Sequence, residues 1–130
     1  MPLVIVPVYA ALLALLFVLL SVNVIRIRRQ TRQALGSGGN AGLERRIRVH
    51  ANFAEYVPLA LLLLAFAEFG GAPGWLLHAL CIALLFGRAL HGWGVARLDE
   101  DVRFRIAGMT LTFASLLTTA FLLLALAFIR

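Results

Sequence analysis

Residues 106–129 read IAGMTLTFASLLTTAFLLLALAFI, a segment of 24 residues without one charged side chain. A helix of about 20 apolar residues is long enough to cross the hydrocarbon core of a bilayer. Residues 3–25 form a second charge-free segment near the start of the chain. It has neither the basic beginning nor the small-residue cleavage site of a signal peptide, so we expect it to remain as a helix. The sequence therefore predicts at least two membrane-spanning helices.

The composition of the whole chain agrees with a membrane protein. Hydrophobic residues make up 62% of the 130 residues and charged residues 14%, whereas soluble domains are about half apolar and about a quarter charged. The net charge of +6 comes from twelve arginines. Because no soluble domain is present to carry a basic surface, we expect no binding to nucleic acid.

The arginines also predict the topology. Eleven of them lie in residues 26–48 and 88–105, and the connection around residues 68–75 has none. By the positive-inside rule both basic stretches face the cytoplasm, both termini lie on the other side, and the number of spans is even. Five of these arginines are expected only to set this orientation: Arg26, Arg29, Arg32, Arg45 and Arg46. The prediction is an all-α, integral membrane four-helix bundle, a single domain over residues 1–130 with helices at about 3–28, 43–69, 73–95 and 103–129.

Several polar residues have structural interpretations. His78 lies within an apolar segment and is expected to form a hydrogen bond between helices. Cys81 is expected to be a small buried hydrophobic residue. The acidic segment Asp99-Glu100-Asp101 is expected to be a solvated turn. The three histidines and the single cysteine lack the spacing of metal ligands, so the sequence predicts no metal site.

A polar stripe on the second helix is the first candidate site. Arg48, Asn52 and Glu55 occupy positions i, i+4 and i+7 and share one helical face. Glu55 lies roughly 10 Å further along the axis than Arg48, and a carboxylate within the membrane normally faces a bundle interior or a cavity. Either Glu55 pairs with arginines to hold helices together, or it belongs to a ligand site. Pro58 lies one turn further along the helix, where it either kinks the helix and opens space beside the stripe or is simply tolerated.

Further cationic residues lie on the same side of the membrane: Arg88, His91, Arg103 and Arg105. Taken singly, each is typical of a side chain that reaches toward the lipid headgroups. Taken together, they would surround the stripe with positive charge. Such a site suits an anionic ligand, because arginine binds a carboxylate with two parallel hydrogen bonds. It would also favour the thiolate form of a bound thiol.

The segment 48–58, RVHANFAEYVP, resembles the helix-two signature of the MAPEG family, the membrane-associated proteins of eicosanoid and glutathione metabolism. Chain length, four spans and the pair Gly87-Arg88 resemble the same family, and the small bacterial branch is the most similar. The resemblance implies a homotrimer in the bacterial inner membrane. It also implies that glutathione, as thiol co-substrate, lies at the cytoplasmic side between neighbouring subunits.

The resemblance also implies roles for individual residues. Arg105 is similar to the helix-four arginine that stabilises the glutathione thiolate, and it is the expected catalytic residue. Arg103 is the less suitable position for this role. The expected glutathione-binding residues are Arg28, Arg48, Asn52, Glu55, Tyr56, Arg88 and His91. The sequence departs from the eicosanoid enzymes at His91 and Val95, where they have tyrosines, so it does not support a specific eicosanoid activity.

Three functions are compatible with these residues. The leading hypothesis is a glutathione-dependent transferase or peroxidase that acts on a lipophilic substrate. The second is a non-enzymatic membrane protein that binds a membrane lipid or acts as a structural trimer, and the loss of a tyrosine at Val95 favours it. The third is a small proton-coupled exporter. It is disfavoured because Glu55 lies near one end of its span, whereas transport sites lie near the bilayer midplane.

Overall fold

The computed structural model describes residues 2–129, and these residues form four α-helices and no strand. Each helix is long and apolar enough to cross a membrane. The all-helical, four-span architecture is thus confirmed, whereas the homotrimer stays a prediction. The first helix runs three residues further, and the second begins two residues earlier, than the sequence suggested. The helices are α1 (Ile5–Thr31), α2 (Ala41–Phe69), α3 (Gly74–Ala96) and α4 (Val102–Ile129).

Two local features separate α1 from α2. Arg32 ends α1 in the left-handed conformation, with φ of 54°, and the glycines that follow supply further positive φ angles. Asn40 then begins α2, because its side chain accepts a hydrogen bond of 2.9 Å from the backbone N–H of Leu43. The glycine-rich connection therefore forms an ordered turn between two antiparallel helices.

The helices α2 and α3 occupy the middle of the bundle. The helix α1 packs on one side of this pair and α4 on the other, and within residues 2–129 α1 and α4 do not approach each other. The closest crossing joins α3 and α4 at Gly87 and Gly108. A Cβ atom added at Gly108 would lie 2.6 Å from the carbonyl oxygen of Gly87. Small residues allow membrane helices to pack at such short range.

At the end of the bundle that carries few arginines, Glu68 joins α2 to the beginning of α1. Its buried carboxylate accepts hydrogen bonds from the backbone N–H groups of Val4, Ile5 and Val6, at 2.7, 2.6 and 2.8 Å. Val4 itself provides no side-chain cap. An acid of a different helix therefore satisfies the free N–H groups at the start of α1 and interacts favourably with its dipole.

The outer surface of the bundle is apolar, as expected for contact with lipid. Large hydrophobic side chains such as Leu15, Phe121 and Phe128 are exposed along the helices, an arrangement that a soluble monomer rarely shows. Two further predictions are also confirmed. Cys81 is fully buried. His78, although exposed, forms a hydrogen bond between helices, because the hydroxyl of Tyr9 on α1 lies 2.9 Å from its Nδ1 atom on α3.

Candidate functional site

A cavity of 490 Å³ opens between α2, α3 and α4 at the arginine-rich end of the bundle. We call it the arginine cavity. Four of the residues singled out in the sequence lie in its wall, and they come from three helices. Its lining consists of Ala41, Glu44, Arg45, Arg48, Asn52, His91, Val95, Arg105 and Met109.

Arg88 lies behind this wall, inside the bundle, and is 1% exposed. Its Nη2 atom donates a hydrogen bond of 2.6 Å to Oδ1 of Asn52. Its Nη1 atom lies 3.4 Å from Oγ1 of Thr112 and 3.6 Å from the sulfur of Met109. Among residues 2–129 no carboxylate pairs with it. Arg88 is therefore a buried positive charge held by neutral acceptors, and it does not extend toward the headgroups.

The contact with Arg88 determines which tautomer His91 adopts. The Nη2 atom of Arg88 lies 3.1 Å from Nδ1 of His91. Because a guanidinium can only donate, Nδ1 must accept, which leaves the proton of the neutral ring on Nε2. His91 is itself buried and lines the arginine cavity. The ring can thus act as a hydrogen-bond donor through Nε2.

Glu100 pairs with two arginines at the rim of the arginine cavity. Its Oε2 atom lies 2.6 Å from Nη1 of Arg45, and its two carboxylate oxygens lie 2.7 Å from Nε and Nη2 of Arg105. The side chain of Glu100 is 8% exposed. The prediction of a solvated acidic turn is therefore wrong for Glu100, because two arginines from different helices enclose its carboxylate.

Arg45 and Glu100 were not among the predicted site residues. Arg45 was expected only to set orientation, yet it lines the cavity and also donates to the carbonyl oxygen of Val95 at 3.2 Å. The sequence contains a signal for the pair, namely an acidic segment directly before the arginines of α4. Three consecutive acidic positions, however, do not reveal which one turns inward.

The Glu100 contacts predict a pH dependence of stability. The hydrogen bond from Arg45, helped by the charge of Arg105, holds the pKa of Glu100 below its usual 4.5. A lowered folded-state pKa gives a stabilisation that is complete above the unfolded value and is lost as the pH falls through the folded value. We expect Glu100→Gln to unfold at a lower temperature than the wild type at neutral pH. The two melting temperatures should converge as the pH falls below 4.5 and through the lowered folded-state pKa of Glu100. A constant difference across that range would contradict the assignment.

The two charged residues of the polar stripe are exposed. Arg48 Nη1 and Glu55 Oε1 are 3.9 Å apart, with side chains 60% and 51% exposed. Arg48 lines the arginine cavity, whereas Glu55 lies neither in the bundle interior nor in the cavity lining. Tyr56 is half-buried and packs edge-on against Phe113 of α4, at 5.5 Å between ring centroids.

Arg28 lies apart from the arginine cavity. Its Nη1 atom donates to the backbone carbonyls of Gln33, Ala34 and Gly36, at 3.3, 3.3 and 2.8 Å. These contacts hold the end of α1 to the following turn. Arg103 also stays outside the arginine cavity. The structure therefore brings together Arg48, Asn52, Arg88, His91 and Arg105, and leaves Arg28, Glu55 and Tyr56 outside the cavity lining.

Comparison with known proteins extends over most of the chain. The MAPEG family model matches residues 6–125. The inner membrane protein YecN of Escherichia coli strain K12 is 42% identical over 109 residues, which cover 84% of this chain and 82% of that protein. YecN of Escherichia coli O6:H1 strain CFT073 is similar to the same extent. With the four apolar helices, these matches support an integral location in the inner membrane.

Proposed function

Because this chain belongs to the MAPEG family, we propose that it binds glutathione in the arginine cavity and uses it as a thiol co-substrate toward lipophilic electrophiles. The observation that carries the proposal is the arrangement of Arg48 and Arg105 at a cavity backed by the buried charge of Arg88. No carboxylate of residues 2–129 neutralises Arg88. An anionic ligand would supply the missing negative charge nearby.

The available hydrogen-bond donors suit a ligand with carboxylates and a thiol. Among residues 2–129 the guanidinium of Arg48 pairs only with Glu55, at the long distance of 3.9 Å, so it is available to bind a carboxylate with two hydrogen bonds. Glu100 holds Nε and Nη2 of Arg105, which leaves Nη1 to face a ligand. The positive charges of Arg88 and Arg105 favour thiolate over thiol, and thiolate is the nucleophilic form.

The chemistry needs no nucleophile from the protein. The glutathione sulfur attacks an electrophilic carbon, a new C–S bond forms, and the leaving group departs with the electron pair of the broken bond. The Nε2–H group of His91 could donate to an oxygen of the ligand or the substrate. Because the cavity lies at one end of the membrane spans, glutathione can enter from water and an apolar substrate from the bilayer, and both gain from proximity.

Orientation and assembly belong to the same proposal. The positive-inside rule places the arginine-rich end in the cytoplasm and both termini on the opposite side. The exposed carboxylate of Glu55 on a membrane-spanning helix would be costly against lipid. A second copy of the chain that covers this face of α2 would remove that cost, which supports assembly with further copies. The homotrimer is the assembly that the family resemblance implies. Arg28, Glu55 and Tyr56 would then contribute to a site shared between subunits.

The test is thermal unfolding of the detergent-purified protein with and without millimolar glutathione. A ligand that binds only the folded form at a hundredfold excess over its Kd stabilises it by about 2.7 kcal/mol. We expect a clear rise in melting temperature for the wild type and for Arg29→Ala, which removes an arginine outside the cavity. Arg48→Ala should lose most of the rise, and Arg105→Ala should in addition slow conjugation of an aromatic chloride.

The outcomes separate the proposal from its main alternative. No stabilisation of the wild type by glutathione would overturn the proposed function. Binding without any conjugation or peroxidase turnover would favour the non-enzymatic alternative instead. One observation supports that alternative, because the buried Val95 lines the cavity where a catalytic hydroxyl would otherwise lie.

A further inference from the structure

A second cavity lies at the arginine-rich end, on the other side of the α2–α3 pair. It has a volume of 640 Å³ and runs between α1, α2 and α3. It shares no lining residue with the arginine cavity. We call it the α1–α3 groove. Its position and lining are not used by the function proposed above.

The deeper part of this groove is apolar. Leu16, Leu19 and Leu20 of α1 form one wall, and the exposed Ala89 of α3 forms part of the other. The floor includes Gly92, where an added Cβ atom would lie 3.4 Å from Cγ1 of Val49. The missing side chain at Gly92 therefore deepens the groove. Because Leu19 and Ala89 are exposed on the outer surface of the bundle, the groove adjoins the lipid phase.

The mouth of the groove is positively charged. Arg46 donates to the carbonyl oxygen of Gly42 at 3.1 Å, and none of the ion pairs among residues 2–129 includes it. Arg97 is paired with Asp99 at 2.9 Å and lies over the ring of Trp93, 4.8 Å from its centroid. The groove lining thus contains two arginines and one aspartate. Among residues 2–129 the aspartate pairs with Arg97, and Arg46 has no ion-pair partner.

We propose that the α1–α3 groove binds an anionic phospholipid, with an acyl chain along the leucines of α1 and its phosphate at Arg46. A basic pocket between helices at the charged end of a membrane protein is the usual setting for an anionic headgroup. The exposed ring of Trp93 marks the level of the interface, where Trp residues are enriched. A free phosphate would leave the long apolar wall uncovered, and for that reason the groove fits a lipid.

The test compares two lipids on the full-length protein in detergent. Dioleoyl phosphatidylglycerol and dioleoyl phosphatidylcholine are titrated separately, and the melting temperature is followed. We expect saturable stabilisation that is stronger for phosphatidylglycerol. Arg46→Gln should weaken half-saturation by phosphatidylglycerol about fivefold, which corresponds to about 1 kcal/mol for one arginine near an anionic headgroup. Arg29→Gln removes the same charge at the same end, outside the groove, and should keep wild-type binding.

A second variant tests the apolar part of the groove. Ala89→Trp fills it from an exposed position, and we expect it to weaken the binding of both lipids. Ala79→Trp introduces the same bulk at another exposed position of α3 outside the groove and should bind as the wild type does. If Ala89→Trp does not fold, the comparison of Arg46→Gln with Arg29→Gln decides alone.

Two results would overturn the lipid proposal. Equal losses in Arg46→Gln and Arg29→Gln would show that diffuse surface charge, and not the groove, attracts the lipid. A smaller oligomer in Ala89→Trp, measured by mass in detergent, would show that a second copy of the chain occupies the groove. Both measurements are independent of glutathione, so the two proposals can fail separately.

Discussion

Gly108→Ala is expected to destabilise the bundle by about 1–3 kcal/mol, the usual cost of overpacking. An alanine normally stabilises a helix interior relative to glycine by roughly 0.5–1 kcal/mol. At Gly108 the new Cβ atom would lie 2.6 Å from the Gly87 carbonyl oxygen and 2.8 Å from the backbone nitrogen of His91. These are backbone atoms, which cannot turn aside as a side chain can. The two helices must therefore separate.

Gly92→Ala is the matched control for this substitution. Gly92 is also a buried helical glycine, but a Cβ atom there meets only side-chain atoms, at 3.4 Å and beyond. We expect the control to be neutral or slightly stabilising. The two variants can be compared by unfolding in mixed detergent or by heat. Equal stability of Gly108→Ala and Gly92→Ala would contradict the close packing of α3 on α4.

The loss of Glu68 should have an effect of similar size. Glu68→Ala leaves three backbone N–H groups at the start of α1 without their acceptor, and each hydrogen bond to a charged group is worth about 1.5–3 kcal/mol. Partial compensation by water limits the expected loss to about 2–3 kcal/mol in total. Glu68→Gln, which keeps one carbonyl oxygen, should lie between the alanine variant and the wild type.

Glu44→Ala provides the control for Glu68, since it removes an exposed acid from the same helix. We expect it to lower the free energy of unfolding by less than about 1 kcal/mol. Hydrogen exchange at Val4, Ile5 and Val6 gives a local readout, because protection of these amides should fall only in the Glu68 variants. Unchanged protection in Glu68→Ala would contradict the capping role.

The fold was predictable because its signals are local. The length of a charge-free segment such as 106–129 can be read directly from the sequence. The arginines are concentrated in two connections, which indicates that these connections lie on the same side of the membrane. The cap at Asn40 shifted the start of α2 by only two residues. The contact from Glu68 to α1 was not predictable in this way. It joins positions 62–64 residues apart, and no sequence period relates them.

The candidate site was predicted only in part, for the same reason. Helical periodicity placed Arg48 and Asn52 on one face, the positive charge on one membrane side added Arg88 and Arg105, and the family resemblance then implied their roles. Spacing within a helix, however, does not specify which side chains meet across helices. The contact of Asn52 with Arg88 and the enclosure of Glu100 depend on the crossing of three helices. Such contacts become visible only when the helices are assembled.

The capping of α1 by Glu68 also has a consequence for biogenesis. The chain is made from its N-terminus, so α1 is complete long before position 68 leaves the ribosome. Until then its first N–H groups depend on water or lipid headgroups, because the later acid supplies their acceptor. The hairpin of α1 and α2 therefore closes at its far end only after the second span has been synthesised.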